Sequence, residues 1–242
     1  MRSLADALTA AGFEPRLYGY ASTRATIAEL GAQLAKDIRA NHHKRPLCAV
    51  THSLGGIILR CAPREGITWR RIVMLAPPNL GSSVAASLSS LAFQAVFGKA
   101  AVQLGDATED PKAWPFPPAP FAVIAGTRRR SLANPTSWIS HRIFGSGIAH
   151  DGTVAVEETK LPGMAAFETV DASHTTIMHD ARVHELTINF LRDGWFTRPA
   201  GDAPLATTRE PSTGDGAQRV GGAPPARRVR RRDVVKDEDE RT

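Results

Sequence analysis

A serine between small residues is the most chemically suggestive feature of the sequence. Ser53 stands in the stretch Thr51-His52-Ser53-Leu54-Gly55, with the apolar run LCAV before it and the mainly apolar run GIILR after it. A serine becomes an effective nucleophile only when a base removes its proton and a carboxylate orients that base. The stretch therefore predicts acyl-transfer chemistry, provided that a histidine and an acid lie further along the chain.

The residues around Ser53 favour a tight turn from a strand into a helix. Such a turn strains the backbone of the serine and needs small residues two positions to either side. Gly55 meets this need, whereas Thr51 replaces the more usual glycine. The helix that follows points its first amides at the reacting group, so the Leu54 amide is a candidate oxyanion donor. We expect His52 to shape the substrate pocket or to pack beside the serine. The alternative is a glycine-rich turn whose serine caps a helix.

Two later loops supply candidates for the acid and the base. Asp151 lies in an Asp-Gly turn, well after the apolar stretch that ends at Gly126. His174 lies between a short apolar stretch and the last amphipathic stretch of the chain. Loops that leave the carboxyl ends of parallel strands gather at one edge of the sheet, which is where ligand chemistry collects. The chain order of serine, acid and histidine is therefore Ser53, Asp151, His174.

Other acids and histidines compete for these two roles. Asp171 ends the last predicted strand, and Asp180 lies on the last predicted helix. Five histidines lie in that helix or lack a position at a strand end: His42, His43, His141, His179 and His184. The sequence contains no Cys-x-x-Cys pair or cysteine-histidine cluster, so we expect no metal site and no cofactor.

Apolar stretches alternate with amphipathic stretches along the first 196 residues. We predict strands at 13–20, 47–51, 70–76, 120–126 and 166–172, and helices at 2–12, 23–41, 53–62, 82–98 and 178–194. The strand cores are continuous apolar runs, which are typical of a parallel sheet with helices on both faces. The sequence therefore predicts one α/β domain with a mostly parallel sheet over residues 1–196.

Four stretches of the chain resemble the α/β hydrolases, and more narrowly the small bacterial lipases and esterases near the class 2 triacylglycerol lipases. They are VTHSLGG at 50–56, LAPPNLGSSVA at 75–85, DGTV at 151–154 and SHTTIM at 173–178. The resemblance implies that Ser53, Asp151 and His174 form a catalytic triad. It also implies that the substrate, a small molecule or a lipid, is a carboxylic ester.

The resemblance also exposes a difference at the N-terminus. Members of this family begin with an apolar strand and a His-Gly loop that supplies a second oxyanion donor, whereas this sequence starts at the first helix. We therefore expect an N-terminally truncated version of the fold, with a gap between the strands at 13–20 and 47–51 that is either closed by direct pairing or left open. The alternative is a start further upstream. Loss of one donor lowers turnover by about 10²–10³.

The stretch between the predicted strands at 70–76 and 120–126 is long enough to cover the site. In the resembling family, the region corresponding to 80–120 is the usual place for a lid. Its aromatic residues are candidates for a substrate-binding pocket: Phe93, Phe97, Trp114 and Phe116. A helix that only covers the sheet is an equal alternative.

Composition limits the choice of partners and location. The formal net charge is +6, but residues 199–242 hold nine Lys/Arg and eight Asp/Glu, so this part carries only +1. Its RRVRRR (227–232) and DEDE (237–240) blocks predict a disordered charged tail over 197–242, which we expect to bind no nucleic acid. An anionic surface or a nucleic acid is an alternative partner for the arginines. No transmembrane run or signal segment is evident, so we expect a cytoplasmic protein; the oligomeric state is open.

These patterns together predict a serine hydrolase of carboxylic esters. One alternative is a non-catalytic relative that acts as a binding module, which the absent oxyanion loop favours. Another is a thioesterase or acyltransferase that uses the same three residues.

Overall fold

Four parallel strands form the centre of the protein. The computed structural model describes residues 1–41, 45–87, 100, 103–104, 111–131, 137–145 and 147–197. The strands are β1 (Leu47–His52), β2 (Trp69–Leu75), β3 (Phe121–Gly126) and β4 (Ala166–Val170). They pair in the order β1-β2-β3-β4, and each pair is parallel. All four were predicted from their apolar runs, and the parallel α/β architecture is confirmed.

Helices connect the strands. They are α1 (Arg2–Ala10), α2 (Ile27–Asn41), α3 (Leu54–Cys61), α4 (Ser83–Ser87), α5 (Ser137–Phe144), α6 (Val156–Thr159) and α7 (Ala181–Asp193). Single 3₁₀ turns occupy Pro111–Ala113 and Ile177–His179. The helices α5 and α6 were not predicted, because their short segments lack a full apolar stripe. None of the helices in the described ranges is long and apolar enough to cross a membrane.

The sheet is covered on both faces because neighbouring side chains on a strand point in opposite directions. On β2, Val73 and Leu75 face the cluster that contains Leu8 of α1 and Phe190 of α7. The alternate residues Ile72 and Met74 pack in a second cluster, with Leu59 of α3. The strand β3 is buried along its whole length, as its uninterrupted apolar run predicts.

The predicted strand at 13–20 is wrong. These residues have no strand partner, and Leu17, Tyr18 and Tyr20 are exposed. A pattern of β-forming residues does not suffice without a neighbouring strand to complete the hydrogen-bond ladder. Within the described residues, β1 is consequently an edge strand, and the direct pairing between the two segments that the sequence allowed does not occur.

The predicted last helix begins later than expected. Asp180 is its N-cap: its carboxylate accepts hydrogen bonds from the amides of Arg182 and Val183, at 2.8 and 3.2 Å. His179 belongs to the preceding 3₁₀ turn. Gly194 ends the helix in a left-handed conformation with φ of 92°. Asp180 therefore has a capping role, which satisfies two of the free amides of the first turn.

Candidate active site

The turn at Ser53 joins β1 to α3 and holds the serine in an unusual backbone conformation. Its φ is 52° and its ψ is −129°, a combination that is costly for any residue other than glycine. Two hydrogen bonds hold it there: the Ser53 amide donates to Leu75 O, and the Gly56 amide donates to Ser53 O, both at 2.9 Å. The serine is thus anchored on the neighbouring strand at one side and on the first turn of α3 at the other.

The small residues near the serine differ in how much they are needed. A Cβ at Gly55 would lie 3.9 Å from the Thr51 Cβ, an ordinary contact, which explains why threonine is accepted where glycine is more usual. A Cβ at Gly56 would lie only 2.6 Å from the Met74 side chain. Of these two glycines, Gly56 therefore has the closer neighbour, one residue later than the sequence indicated.

The three residues expected from the sequence form one chain of hydrogen bonds. His174 Nε2 lies 2.9 Å from Ser53 Oγ, and His174 Nδ1 lies 2.7 Å from Asp151 Oδ2. Asp151 is 1% exposed and His174 is 7% exposed. Since a carboxylate only accepts, Nδ1 carries the proton and Nε2 is free to accept the serine proton.

The loop around Asp151 fixes its carboxylate. Its second oxygen, Oδ1, accepts hydrogen bonds from the amides of Thr153 (2.9 Å) and Val154 (2.8 Å). Gly126, at the end of β3, allows this loop to approach, because a Cβ there would lie 2.8 Å from the Asp151 Cβ and 2.5 Å from Ala172 O. The carboxylate therefore has one oxygen committed to its own turn and the other directed at His174.

The loop that carries His174 is held by its own side chains and by its neighbours. The His174 amide donates to Asp151 O at 2.9 Å. The hydroxyls of Ser173 and Thr176 lie 2.8 Å apart and close the turn around the histidine. His52 Nε2 lies 2.8 Å from His174 O, so the backbone of His174 is held at both ends.

The rival residues have other partners. Asp171 is exposed and pairs with Arg128 at 3.0 Å; the hydrogen bond and charge of this guanidinium lower the pKa of Asp171. His184 Nε2 contacts Met178 O at 2.9 Å, and His179 Nδ1 contacts Ser3 Oγ at 2.8 Å. The other rival histidines, His42, His43 and the side chain of His141, lie outside the described residues.

The expected substrate residues are only partly described. Phe93 and Phe97 lie outside the described residues, as does most of the region 88–110. Trp114 is buried in the cluster beside Leu54 of α3, whereas Phe116 is 52% exposed. The substrate role of all four aromatic residues stays a prediction.

One group of residues near the site was not found from the sequence. Arg60 of α3 is 1% exposed, and its guanidinium donates to the carbonyls of Trp114, Pro115 and Asn79 and to Asn79 Oδ1. Burial lowers the pKa of Arg60 to about 10. Asn79 Nδ2 in turn donates to Thr159 O at 2.8 Å. From the sequence alone, Arg60 is an ordinary basic residue in the last turn of a helix.

Tyr20 is a second residue that the sequence did not single out. Its hydroxyl lies 3.5 Å from the position that a Cβ at Gly55 would occupy, beside the turn that carries Ser53. The sequence pattern did not indicate that Tyr20 approaches this turn, because residues 13–20 were predicted to form a strand. Among the described residues, no group of three or more His, Cys, Asp or Glu is placed to hold a metal ion.

Comparison with known proteins identifies the fold. No protein-family model matches the sequence, and no curated protein matches it. Among solved structures, it is similar to the Bacillus licheniformis lipase BlEst2, at 20% identity and a TM-score of 0.51 over 63% of this chain. The match covers 38% of that lipase in its propeptide form and 69% in its mature form.

A second similar structure is the phospholipase PlaB from Legionella pneumophila in complex with thio-NAD. It is 18% identical with a TM-score of 0.50, and the match covers 66% of this chain and 39% of PlaB. The chain thus spans less than two thirds of PlaB and of the BlEst2 propeptide form. Identities this low are informative about the fold alone. The parallel sheet, the strand-to-helix turn and the helices on both faces agree with the fold of these structures. The chain has an α/β-hydrolase fold of the kind found in bacterial lipases.

Proposed function

We propose that this protein is a serine hydrolase that cleaves carboxylic esters. The observation that carries the proposal is the hydrogen-bond chain from Ser53 through His174 to Asp151, with distances of 2.9 and 2.7 Å. The strained backbone of Ser53 supports it, because strain of this kind persists where the surrounding structure imposes it and is frequent at active sites. The two structural neighbours are named a lipase and a phospholipase, which agrees with the proposal at the level of fold.

The proposed mechanism follows from the atoms in the chain of hydrogen bonds. Ser53 Oγ attacks the ester carbonyl while His174 Nε2 takes its proton, and Asp151 stabilises the resulting imidazolium through Nδ1–H. The tetrahedral oxyanion accepts a hydrogen bond from the Leu54 amide at the N-terminus of α3. His174 then protonates the departing alcohol, which leaves an acyl group on Ser53. Water attacks this acyl-enzyme, with His174 again as the base.

Hydrolysis of a series of p-nitrophenyl esters, from acetate to dodecanoate, tests the proposal. We expect the full chain to release p-nitrophenol and S53A to release it only at the rate of the uncatalysed reaction. The matched control is S87A, which removes an exposed hydroxyl that donates to Ser83 O on its own helix. Equal activity of S53A and the full chain, or no activity on any ester, would count against the proposal.

A binding module without catalysis is the second candidate, and the edge position of β1 favours it. Within the described residues, no strand covers the outer side of the strand that leads to Ser53, and Leu54 is the only oxyanion donor we assign. A non-hydrolysable ester analogue that binds the chain, with no turnover of the matching ester, would support this candidate.

Thioester substrates and added alcohol acceptors distinguish hydrolysis of oxygen esters from thioesterase or acyltransferase activity.

A further inference from the structure

His52 makes two contacts with His174, which lies 122 residues away in the sequence. His52 Nε2 lies 2.8 Å from the His174 carbonyl oxygen. The two imidazole rings also pack together, with centroids 4.8 Å apart and planes tilted by 45°. Because His52 is the residue immediately before Ser53, these contacts join the strand of the candidate nucleophile directly to the residue that carries the candidate base.

The chemistry of the hydrogen bond fixes the proton of His52. A backbone carbonyl can only accept, so Nε2 of His52 must carry a hydrogen and donate it. The pKa of His52 is lowered to about 3, mainly by loss of hydration and secondly by the neighbouring His174 imidazole. The other charged groups that act on it are the Asp151 carboxylate, which favours protonation, and the α-ammonium of Met1, which disfavours it. At neutral pH, His52 is therefore an uncharged ring whose Nε2 is a donor.

We propose that His52 is a positioning residue for the reaction: it sets the separation of Ser53 and His174 by anchoring the His174 carbonyl to β1. This inference rests on the proposed function, and it assigns to His52 a different role from the substrate contact expected from the sequence. The substrate is not required to touch His52. The residue acts through His174.

The arrangement of bonds around His174 shows why this anchor matters. The His174 amide is held by Asp151 O, and its ring is held by Asp151 Oδ2, so both of these bonds come from the acid loop. The bond from His52 ties the backbone of His174 to β1, whereas the bond to Ser53 Oγ involves only the His174 ring. Without it, the loop that carries His174 can shift relative to Ser53, and the bond from His174 Nδ1 to Asp151 is held in place less firmly. A misplacement of about 1 Å in such a site costs about 10² in rate.

The neutrality of His52 matters for the same reaction. His174 becomes an imidazolium when it takes the serine proton, and a second positive charge 4.8 Å away would disfavour that state. An uncharged aromatic ring can lie against the imidazolium without this repulsion. The side chain of residue 52 must therefore donate a hydrogen bond from the place of Nε2 and carry no charge.

Two substitutions separate the hydrogen bond from the ring. Glutamine places its amide nitrogen at about the position of Nε2, so H52Q retains the donor; H52F retains a ring and removes the donor. We expect H52Q to keep kcat/KM within about 3-fold of the full chain, and H52F to lose about 10–100-fold, mostly in kcat and with little change in KM. Melting temperatures of both variants separate misfolding from mispositioning. Full activity of H52F, or an equal loss in H52Q and H52F at unchanged stability, would overturn the proposal.

A readout that does not depend on turnover keeps the inference separate from the proposed function. The His174 Nδ1 proton, bonded to Asp151, gives a downfield proton resonance when it is protected from exchange. We expect this resonance in the full chain and in H52Q, and its loss or broadening in H52F at the same pH. If the full chain hydrolyses no ester but shows this pattern, the proposed function fails and the anchor stands. If the resonance is identical in H52F, the anchor fails even in an active enzyme.

Discussion

At the residue scale, the candidate site depends on which nitrogen of His174 carries the proton. Asp151 decides this: its Oδ2 accepts from Nδ1, while its Oδ1 is occupied by the amides of Thr153 and Val154. The serine hydroxyl therefore meets a nitrogen with a free lone pair. His52 adds the anchor that keeps this nitrogen 2.9 Å from the hydroxyl.

Replacing the acid tests this dependence. In D151N, the new oxygen keeps the two turn amides, and the new NH₂ group faces His174 Nδ1. The imidazole must then carry its proton on Nε2, where it cannot accept from Ser53. We expect kcat for ester hydrolysis to fall by about 10⁴ at neutral pH. The matched control is D171N, which removes an exposed carboxylate paired with Arg128, and steady-state kinetics of D171N should equal those of the full chain.

The depressed pKa of His52 predicts how stability changes with pH. The pKa is about 3 in the folded protein and about 6.5 in the unfolded chain, so between these values the unfolded chain binds more protons. The free energy of unfolding therefore falls as the pH falls from 6.5 towards 3, by up to about 1.4 kcal/mol per pH unit from this group. Glutamine does not titrate, so urea unfolding of H52Q should show a shallower acid loss. A difference between the two proteins that is the same at pH 4.5 and pH 7.5 would contradict this.

At the element scale, buried polar side chains fix the loops that leave the sheet. Arg60 connects α3 to the segment 114–115 and to Asn79, which follows β2. Its donors meet neutral carbonyl and amide oxygens, so the charge is stabilised by dipoles. The network lies on the helix that begins beside Ser53, and it therefore links the position of α3 to the loops around it.

Removal of this guanidinium has a predictable cost. In R60M, the carbonyls of Trp114 and Asn79 lose a buried donor and that of Pro115 a partly buried one, and each buried unsatisfied group costs about 1–3 kcal/mol before relaxation. We expect a loss of about 3 kcal/mol in the free energy of unfolding, measured in urea. The matched control is R64M, since Arg64 is exposed and donates to Phe116 O. We expect R64M to change stability by less than about 1 kcal/mol, and equal losses in both variants would show that burial is not the cause.

At the scale of the whole molecule, the sequence predicted the strands whose own residues form a clear apolar pattern. The strand β3 is a continuous apolar run that is buried at every position, and β1 and β2 each contain a shorter apolar run. The candidate site could be proposed from the sequence because Ser53 and His174 each lie just after a predicted strand, with Asp151 between them in the expected chain order. The segment 13–20 was not predictable, because its β-forming residues need a partner strand that no local pattern reveals.

Contacts between distant residues explain the other differences. Arg60 and Asn79 are 19 residues apart, and His52 and His174 are 122 apart, so neither pair leaves a periodic signal. Asp180 was assigned to the helix that it caps, because a boundary can only be placed within a few residues from sequence. The disordered tail expected over 197–242 stays a prediction, since residues from 198 onward lie outside those described.

Truncation tests where the folded domain ends. Phe196 is 4% exposed, its ring lies 5.8 Å from that of Phe190, and its carbonyl accepts from Asn189. A chain that ends at Thr197 should therefore keep the melting temperature and the activity of the full chain. A chain that ends at Gly194 loses this aromatic contact and should be less stable by about 3 kcal/mol. A large loss on removal of 198–242 alone would contradict the expected domain boundary.

The central claim is that Ser53 is an activated nucleophile, and covalent labelling tests it most directly. The full 242-residue chain is treated with a fluorophosphonate, digested, and the modified residue is located by mass spectrometry, with S53A as the control. We predict one label, on Ser53, which is absent from S53A. No label on folded protein, or a label on another residue that persists in S53A, would contradict the account.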